Sequence, residues 1–423
     1  MAKFLTAIIA ANLSDIAEQH LLLPKNHFRG RPGCSTVNTI HYLTNKVHQA
    51  WQNNKVASIL FLDVEGAFPN AVTTRLIHNL KKRRIPATII NFVKLLLYNR
   101  KTQLKFDDYI SQPIPIQNRI GQGDPLSMLL YIFYNADILN TPANHDLEDA
   151  IGYINYVAII AIGENLEETT GQLRNLMTRD KGGLEWSRIH NSKFKVNKSA
   201  VMHFSRKSIP DPDNNSCIPL PRPELILEGQ LVKETKSYKY LGILIDNCLT
   251  WKEQAHRTTA NTTKWILQFR RLTKPSTGIK SRLMQQLYKS VALPKITYGI
   301  VTWYTPPNKH NGQSKNSSSV AALHNLKKIQ RITALAITGT LRTSPNDFLD
   351  VHANILPMEL ALLKSSHSAT ICHISLPDTN PVHQIIKNYE TDPPNIHLSP
   401  LYKLIKLFQL SNICIETIKP AVE

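Results

Sequence analysis

Residues 58–64 read SILFLDV. The run is apolar without a break, contains β-branched residues and is shorter than an ordinary helix, so it predicts a strand buried on both faces. Such a strand must be covered above and below, and the sequence around it is patterned for that. Phe4, Leu5, Ile8, Ile9, Leu13, Ile16, Ala17 and Leu21 fall on one helical face, and a second amphipathic helix is expected from about Val37 to Trp51. Residues 71–84 and 86–98 read as two helices, the second opened by Pro86. TQLKFDDYISQPIPI (102–116) reads as a hairpin, and helix resumes from about Leu126 to Leu139. GYINYVAII reads as strand–turn–strand, 164–181 as a helix and KFKVNKSAVMHF (193–204) as a strand.

Helices interleaved with strands, and a hairpin between them, predict an α+β domain of about 200 residues. A Pro-, Asn- and Ser-rich stretch at 205–223 is the expected linker or long loop. Two strands are expected within 225–246, then a basic helical stretch from Trp251 to about Leu293, and a break at TPPNKHNGQSKNSSS (305–319). The rest reads as helical to about Thr370 and weakly patterned beyond it.

Fifty Lys and Arg against 31 Asp and Glu give a formal net charge of +19, which favours a polyanionic partner, nucleic acid first. Cys34, Cys217, Cys248, Cys372 and Cys414 are odd in number and include no CxxC pair, which argues against a disulfide framework or a zinc ribbon. Cys372-His373 with His367 nearby reads as part of a helical core rather than a metal site. The N-terminal segment runs on into a polar helix-periodic pattern and does not read as a signal peptide. No apolar run reaches the roughly 18 residues of a membrane span. An intracellular protein of the nucleus or cytoplasm, with no membrane partner, is expected.

Asp63 closes the apolar strand and precedes a tight Glu-Gly-Ala turn. A carboxylate there either holds Mg²⁺ in a cleft or caps the turn that follows. The strand alone leaves both open. Two further boxes narrow the choice: GQGDPLS at 121–127 and GYINYVAIIA at 152–161. With LFLDVEGAF (60–68) they resemble, in order, the palm boxes of reverse transcriptases. LLLPKNHFRGRPGCSTVNTIHYL (21–43) resembles the family's finger segment. NRIGQGDPLSMLLYIFYNADIL (118–139), LEWSRIHNSKFKVNKSAVMHFSR (184–206), SYKYLGILIDNCLTWKEQAHR (237–257) and LPKITYGIVTWY (293–304) resemble later family segments. Together they cover most of residues 1–370, and the pattern is similar to LINE-type (non-LTR) retrotransposon enzymes of the kind found in fungal genomes.

The resemblance implies a right-hand polymerase palm and fingers with a mostly helical thumb and a C-terminal helical region. Residues 1–205 would be partial fingers and palm, 206–304 the palm-to-thumb hairpin and thumb, and 305–423 a helical connector. It implies an RNA-directed DNA polymerase that uses an RNA template, a DNA primer, dNTPs and Mg²⁺ or Mn²⁺. Asp63 matches the aspartate that holds the metal ions, with the Val64 carbonyl assisting. Phe68 matches the aromatic that excludes a ribose 2′-OH. Gln122 and Gly123 match the loop near the incoming nucleotide. Lys198 matches the late-palm lysine that protonates the leaving group. Arg29 and Arg31 match finger contacts to nucleic acid.

The chain also departs from the pattern. The third box should supply two aspartates, and those positions hold Asn155 and Tyr156. Two-metal phosphoryl transfer needs carboxylates, and an amide and a phenol are poor replacements. Glu65 is expected to point away from Asp63, and Asp124 stands where the family has serine. Arg119 and Gly121 stand where the family has Gly and Pro. By the resemblance the chain starts inside the fingers, with no endonuclease before it and no RNase H after it, as a truncated copy would. Three readings follow: a reverse transcriptase by descent with catalysis lost, a non-catalytic nucleic-acid-binding remnant, and a non-functional relic. An acidic cluster surviving around Asp63 would mark an enzyme. Basic segments at 251–295 and 327–331 would track a phosphate backbone or form solvated helix faces.

Overall fold

A computed structural model describes residues 2–116, 120–121, 123–144, 146–210, 217–272, 278–307, 317–411 and 415–417. Gln122, Arg119 and Cys414 lie outside the described residues. Among the described residues the chain packs as two units: residues up to Lys236 with Asp378–Pro381, and Ser237–Pro377 with residues 382–417.

The first unit is built on the apolar run. It forms β1 (Val56–Asp63), every residue of which is buried. The other strands of its sheet are β2 (Glu148–Tyr153), β3 (Tyr156–Gly163), β4 (Ala200–Phe204) and β5 (Lys233–Glu234), in the order β5-β4-β1-β3-β2. β1 runs antiparallel to both neighbours, and its register with β3 extends from Val56↔Gly163 to Asp63↔Tyr156. Side chains alternate along a strand. Leu60 and Leu62 therefore share one face, where they pack with Leu173, Leu176 and Met177 of α6 (Leu166–Thr178) and with Trp186 of α7 (Gly183–Ile189). Asp63 leaves the sheet on the other face. A second core joins α1 (Ala2–Gln19), α3 (Thr73–Lys82), α4 (Ala87–Leu97) and α5 (Pro125–Asn135), through residues such as Leu13, Leu80, Val93, Leu130 and Phe133.

The finger segment is fastened to the free edge of β2. Phe28 N donates to Gly152 O and Gly152 N to Asn26 O, both at 3.0 Å. A Cβ at Gly152 would come within 2.9 Å of Leu139 and 3.0 Å of His27, so glycine is what lets the segment dock. The buried Asp149 carboxylate accepts from Asn26 (2.6 Å) and Tyr42 (2.8 Å) and pairs with Lys46 (3.0 Å), which ties this segment and α2 (Thr36–Gln52) to β2. A buried carboxylate with three donors is stable where an unpaired one would not be.

The second unit opens with a hairpin, β6 (Ser237–Tyr240) and β7 (Ile243–Asp246), and is otherwise helical. Its longest described helices are α8 (Lys252–Arg270), Ser317–Thr338 and Met358–Ile374. Asp246 accepts from Thr250 N at 2.9 Å and Trp251 N at 2.7 Å and so sets the turn into α8.

Four local expectations change. The two strands expected within 225–246 are five short ones, Ile226–Leu227, Gln230–Leu231, Lys233–Glu234, Ser237–Tyr240 and Ile243–Asp246. Only Ala200–Phe204 of 193–204 is a strand; Val196–Lys198 form a 3₁₀ turn, closed by Lys198 N and Ser199 N on Lys195 O. The expected loop at 205–223 contains a short pairing of Ser208–Pro210 with Cys217–Pro219. Beyond Thr370 the chain forms two more helices, Pro381–Thr391 and Pro400–Phe408. Proline opens each, and Val382/Ile386 and Leu401/Leu404/Ile405 give each a buried stripe that the surrounding prolines hide from a pattern search. His373 is buried, with Nδ1 on Ala369 O at 2.7 Å, while Cys372 is exposed, so the two do not converge on a common site. No helix among the described residues is long and apolar enough to cross a membrane.

Two buried histidines make the first unit acid-sensitive. Burial pulls His27 down to about 3, helped by Arg31, and pulls His190 down to about 4. Both are neutral when folded and take up protons when unfolded once the pH drops below about 6.5. Their contribution is fully present above that value and is lost as pH falls toward 4. At pH 5 the loss amounts to about 2 kcal/mol each at most. Urea midpoints should fall steadily from pH 7 to pH 4.5, and the slope should flatten in His27→Gln plus His190→Gln.

Candidate active site

Asp63 sits at the end of β1, 2% exposed, and both of its oxygens are engaged. Asn155 Nδ2 donates to Oδ1 at 2.7 Å. Lys198 Nζ lies 3.3 Å from Oδ2, reaching in from a side chain that is 59% exposed. The backbone fixes this meeting: Val64 N donates to Asn155 O and Lys195 N to Asp63 O, each at 2.8 Å. The third box and the late-palm segment therefore converge on the carboxylate from opposite sides of β1.

Tyr156 is the register partner of Asp63, so its side chain leaves the sheet on the same face. Ile154 and Asn155 make the two-residue turn between β2 and β3. Ile154 holds φ +57°, which a β-branched residue rarely adopts. Its carbonyl accepts from Asn135 Nδ2 at 2.7 Å, and its side chain packs against the helical core. The strained turn is thus clamped from α5, and the clamp aims Asn155 at Asp63.

The other expected residues are placed as follows. Phe68 is partly buried, its ring 5.0 Å from that of Tyr131. Ile120 N donates to Phe68 O at 3.0 Å, which anchors the glycine loop beside it. Gly123 is exposed with φ +82°, a conformation that suits glycine. Glu65 is exposed, and Asp124 caps α5 by accepting from Leu126 N at 2.9 Å. Arg29 is exposed and reaches Tyr153, with Nη1 3.3 Å from the phenol oxygen.

Arg31 is not available as a nucleic-acid contact. It is buried, forms a two-pronged pair with Glu18 at 2.6 and 2.7 Å, and donates to the carbonyls of Pro24 and Lys25. Its role is to close the finger loop. Part of the expected basic track is likewise engaged internally: Arg331 donates to Ser344 O and Arg342 O, and Lys327 pairs with Glu359.

Sequence reasoning missed two site residues. Tyr131 lies fully buried in α5, and its phenol is pushed above its ordinary range by burial, then by Tyr134 and by the charge on Asp63. In LLYIFYNAD it reads as core. Asn135 is the clamp on the turn; a lone amide within an apolar helical run is the signal that could have found it.

With this geometry in place, the chain can be compared with known proteins. The family model for reverse transcriptase (RNA-dependent DNA polymerase) matches residues 1–245. The chain belongs to the reverse transcriptase family. A probable RNA-directed DNA polymerase from transposon BS of Drosophila melanogaster is 26% identical over 307 residues, 72% of this chain and 32% of that protein. The RNA-directed DNA polymerase from mobile element jockey of the same species is 26% identical over 320 residues, 73% of this chain and 33% of that one. The chain therefore spans about a third of the length of these relatives, and they support its LINE-type assignment. Among solved structures, apo telomerase from Candida Tropicalis aligns at 9% identity and TM-score 0.41, over 95% of this chain and 61% of that one.

Membership in this family implies a divalent cation in the palm. The residues present do not fit a two-cation arrangement. They offer one carboxylate, Asp63, whose oxygens already face an amide and an ammonium. Among the described residues no three His, Cys, Asp or Glu side chains gather as a metal-holding group.

Asn155→Asp would replace a donor with a second carboxylate at hydrogen-bond distance from Asp63. Without divalent ions the variant should be less stable by about 1–3 kcal/mol, the cost of a lost buried hydrogen bond plus like-charge contact. Thermal melts should show Mn²⁺ restoring its midpoint while leaving the native midpoint unchanged. Asn135→Ala should cost about 1–3 kcal/mol in urea unfolding, because the carbonyl of the strained turn loses its donor.

Proposed function

We propose that this chain is the reverse transcriptase core of a non-LTR element and binds template and primer, but has lost primer extension or retains it only weakly. The observation that carries this reading is the engagement of Asp63. Where two-metal transfer needs facing carboxylates, Asp63 meets the Asn155 amide and the Lys198 ammonium. Mg²⁺ or Mn²⁺ is the ion such a palm takes when its carboxylates are complete; here only Asp63 would contribute one. Lys198 would act as a fixed cation toward a phosphate or toward Asp63 itself. Phe68 would lie under the sugar of a nucleotide, and Gln122 and Gly123 beside its base. Residues 1–205 would serve as partial fingers and palm, 206–304 as the approach to the thumb and thumb, and 305–423 as a helical connector. The protein would work in the nucleus or cytoplasm, where RNA is reached.

A non-catalytic binder is the second reading, and the net charge of +19 favours it. It predicts salt-sensitive binding to RNA that does not require a divalent ion.

The test is primer extension on an RNA template with Mg²⁺ or Mn²⁺, comparing the native chain with Asn155→Asp plus Tyr156→Asp. Extension only by the double variant is the expected result. Extension by the native chain well above background would show that other groups hold the ions. Each tenfold change in rate corresponds to about 1.36 kcal/mol of barrier.

A further inference from the structure

A second surface of the first unit is built for contact and has no role in the site at Asp63. Between α4 and α5 the chain runs out as a two-stranded arm. Arg100–Thr102 pair with Ile114–Ile116, and Lys105–Phe106 with Tyr109–Ile110. Leu104 and Ser111 close the gap between the two pairings, through Ser111 N on Leu104 O and Leu104 N on Ser111 Oγ, both at 2.9 Å. Every residue from Lys101 to Ile110 is exposed. An isolated hairpin is marginal in water and normally hides its large apolar side chains. This one presents Phe106 and Tyr109, each 65% exposed and opposite one another in register, with Tyr98 at its base 78% exposed.

The arm also bounds a groove of about 640 Å³ against α3 and α4, lined by Thr73, Thr74, Lys94, Tyr98, Arg100 and Ile116 among others. The lining includes two cations and no carboxylate. Lys101 and Lys105 lie exposed along the same arm, and its two acids, Asp107 and Asp108, are confined to the tip. The groove also adjoins the glycine loop of the palm: a Cβ at Gly121 would stand 2.8 Å from Arg100 Nη2.

We propose that the arm and its groove hold a single-stranded nucleic acid where it passes the palm. Bases stack on Tyr98 and on the Phe106–Tyr109 pair, and phosphates lie along Lys94, Arg100 and Lys101. Exposed aromatics interleaved with cations are the chemistry of a stacking platform, which accepts a single strand because its base faces are open. A protein partner would match the apolar residues but not a groove lined by cations without acids. The proposal rests on the nucleic-acid-binding reading above.

The test is fluorescence anisotropy with labelled oligo(U) and oligo(dT) of about a dozen nucleotides, titrated across salt without divalent ions. Tyr98→Ala and the pair Phe106→Ala/Tyr109→Ala should each weaken single-strand binding about tenfold, with the salt slope unchanged. Lys94→Ala/Lys101→Ala should lower that slope by about 1.4, the value for two lost phosphate contacts on a single strand. The altered side chains are exposed, and circular dichroism confirms that the variants fold. If the native chain binds and the aromatic variants bind equally well, the arm proposal fails while the general reading stands. If the native chain binds neither oligonucleotide, both fail. If the aromatic variants bind like the native chain but shift its sedimentation, the arm mates with another protein copy and the proposal is overturned. Equal loss for oligo(U) and oligo(dT) marks a platform blind to the sugar; loss confined to oligo(U) marks RNA as the strand held.

Discussion

A carboxylate at the end of a fully buried strand has to be satisfied, and the first unit is arranged around doing so. Asp63 cannot turn to water without disturbing β1, whose two neighbours fix its register. An unpaired charge at that depth would cost several kcal/mol. The protein answers with an amide from the turn after β2 and an ammonium from the 3₁₀ turn before β4. Each donor is in turn held by backbone, Asn155 through Val64 N and the Lys198 turn through Lys195 N on Asp63 O. Three segments distant in sequence are locked together by one side chain, and the strained φ at Ile154 is held by Asn135 to keep the amide in place.

The sheet could be read from sequence because its signals are local and strong. SILFLDV is an unbroken apolar run of strand length rich in residues that favour strands, and GYINYVAII sets two short apolar runs about a two-residue turn. The short strand Ala200–Phe204 was legible, but its start was not: Lys195–Ser199 close on their own backbone, a choice that periodicity does not register. The last two helices lie in the stretch that reads as weakly patterned, because each is short and its apolar stripe is set among prolines, one of which stands at the first helical position. In each case the missing information was hydrogen bonding or capping, not hydrophobicity.

The site was legible in a different way. Motif order brought Asp63, Asn155, Tyr156 and Lys198 to notice, and the structure joins the first two and the last by direct contacts. Motif order could not tell a finger arginine that faces a ligand from one that closes a loop. Arg31 looks like a phosphate contact until Glu18 is found 2.6 Å away, thirteen positions earlier on a separate helix. Tyr131 and Asn135 were missed for the opposite reason: they sit within an apolar run, where a polar atom takes its meaning from partners that folding supplies.

The contacts of Asp63 also show how the chain's own side chains satisfy a buried carboxylate at this position. A palm with carboxylates at positions 63, 155 and 156 would crowd like charges on one face, stable only when cations offset them. With Asn155 the neighbouring group is a hydrogen-bond donor to Asp63, and with Tyr156 the register partner of Asp63 carries a phenol in place of a carboxylate. An amide and a phenol at positions 155 and 156 therefore avoid the like-charge strain that carboxylates there would impose. Stability and catalysis pull in opposite directions at this spot, as they commonly do where function requires unfavourable groups to be held together. The apolar strand beneath is held by its own burial and register, so the sheet does not depend on which groups stand at positions 155 and 156.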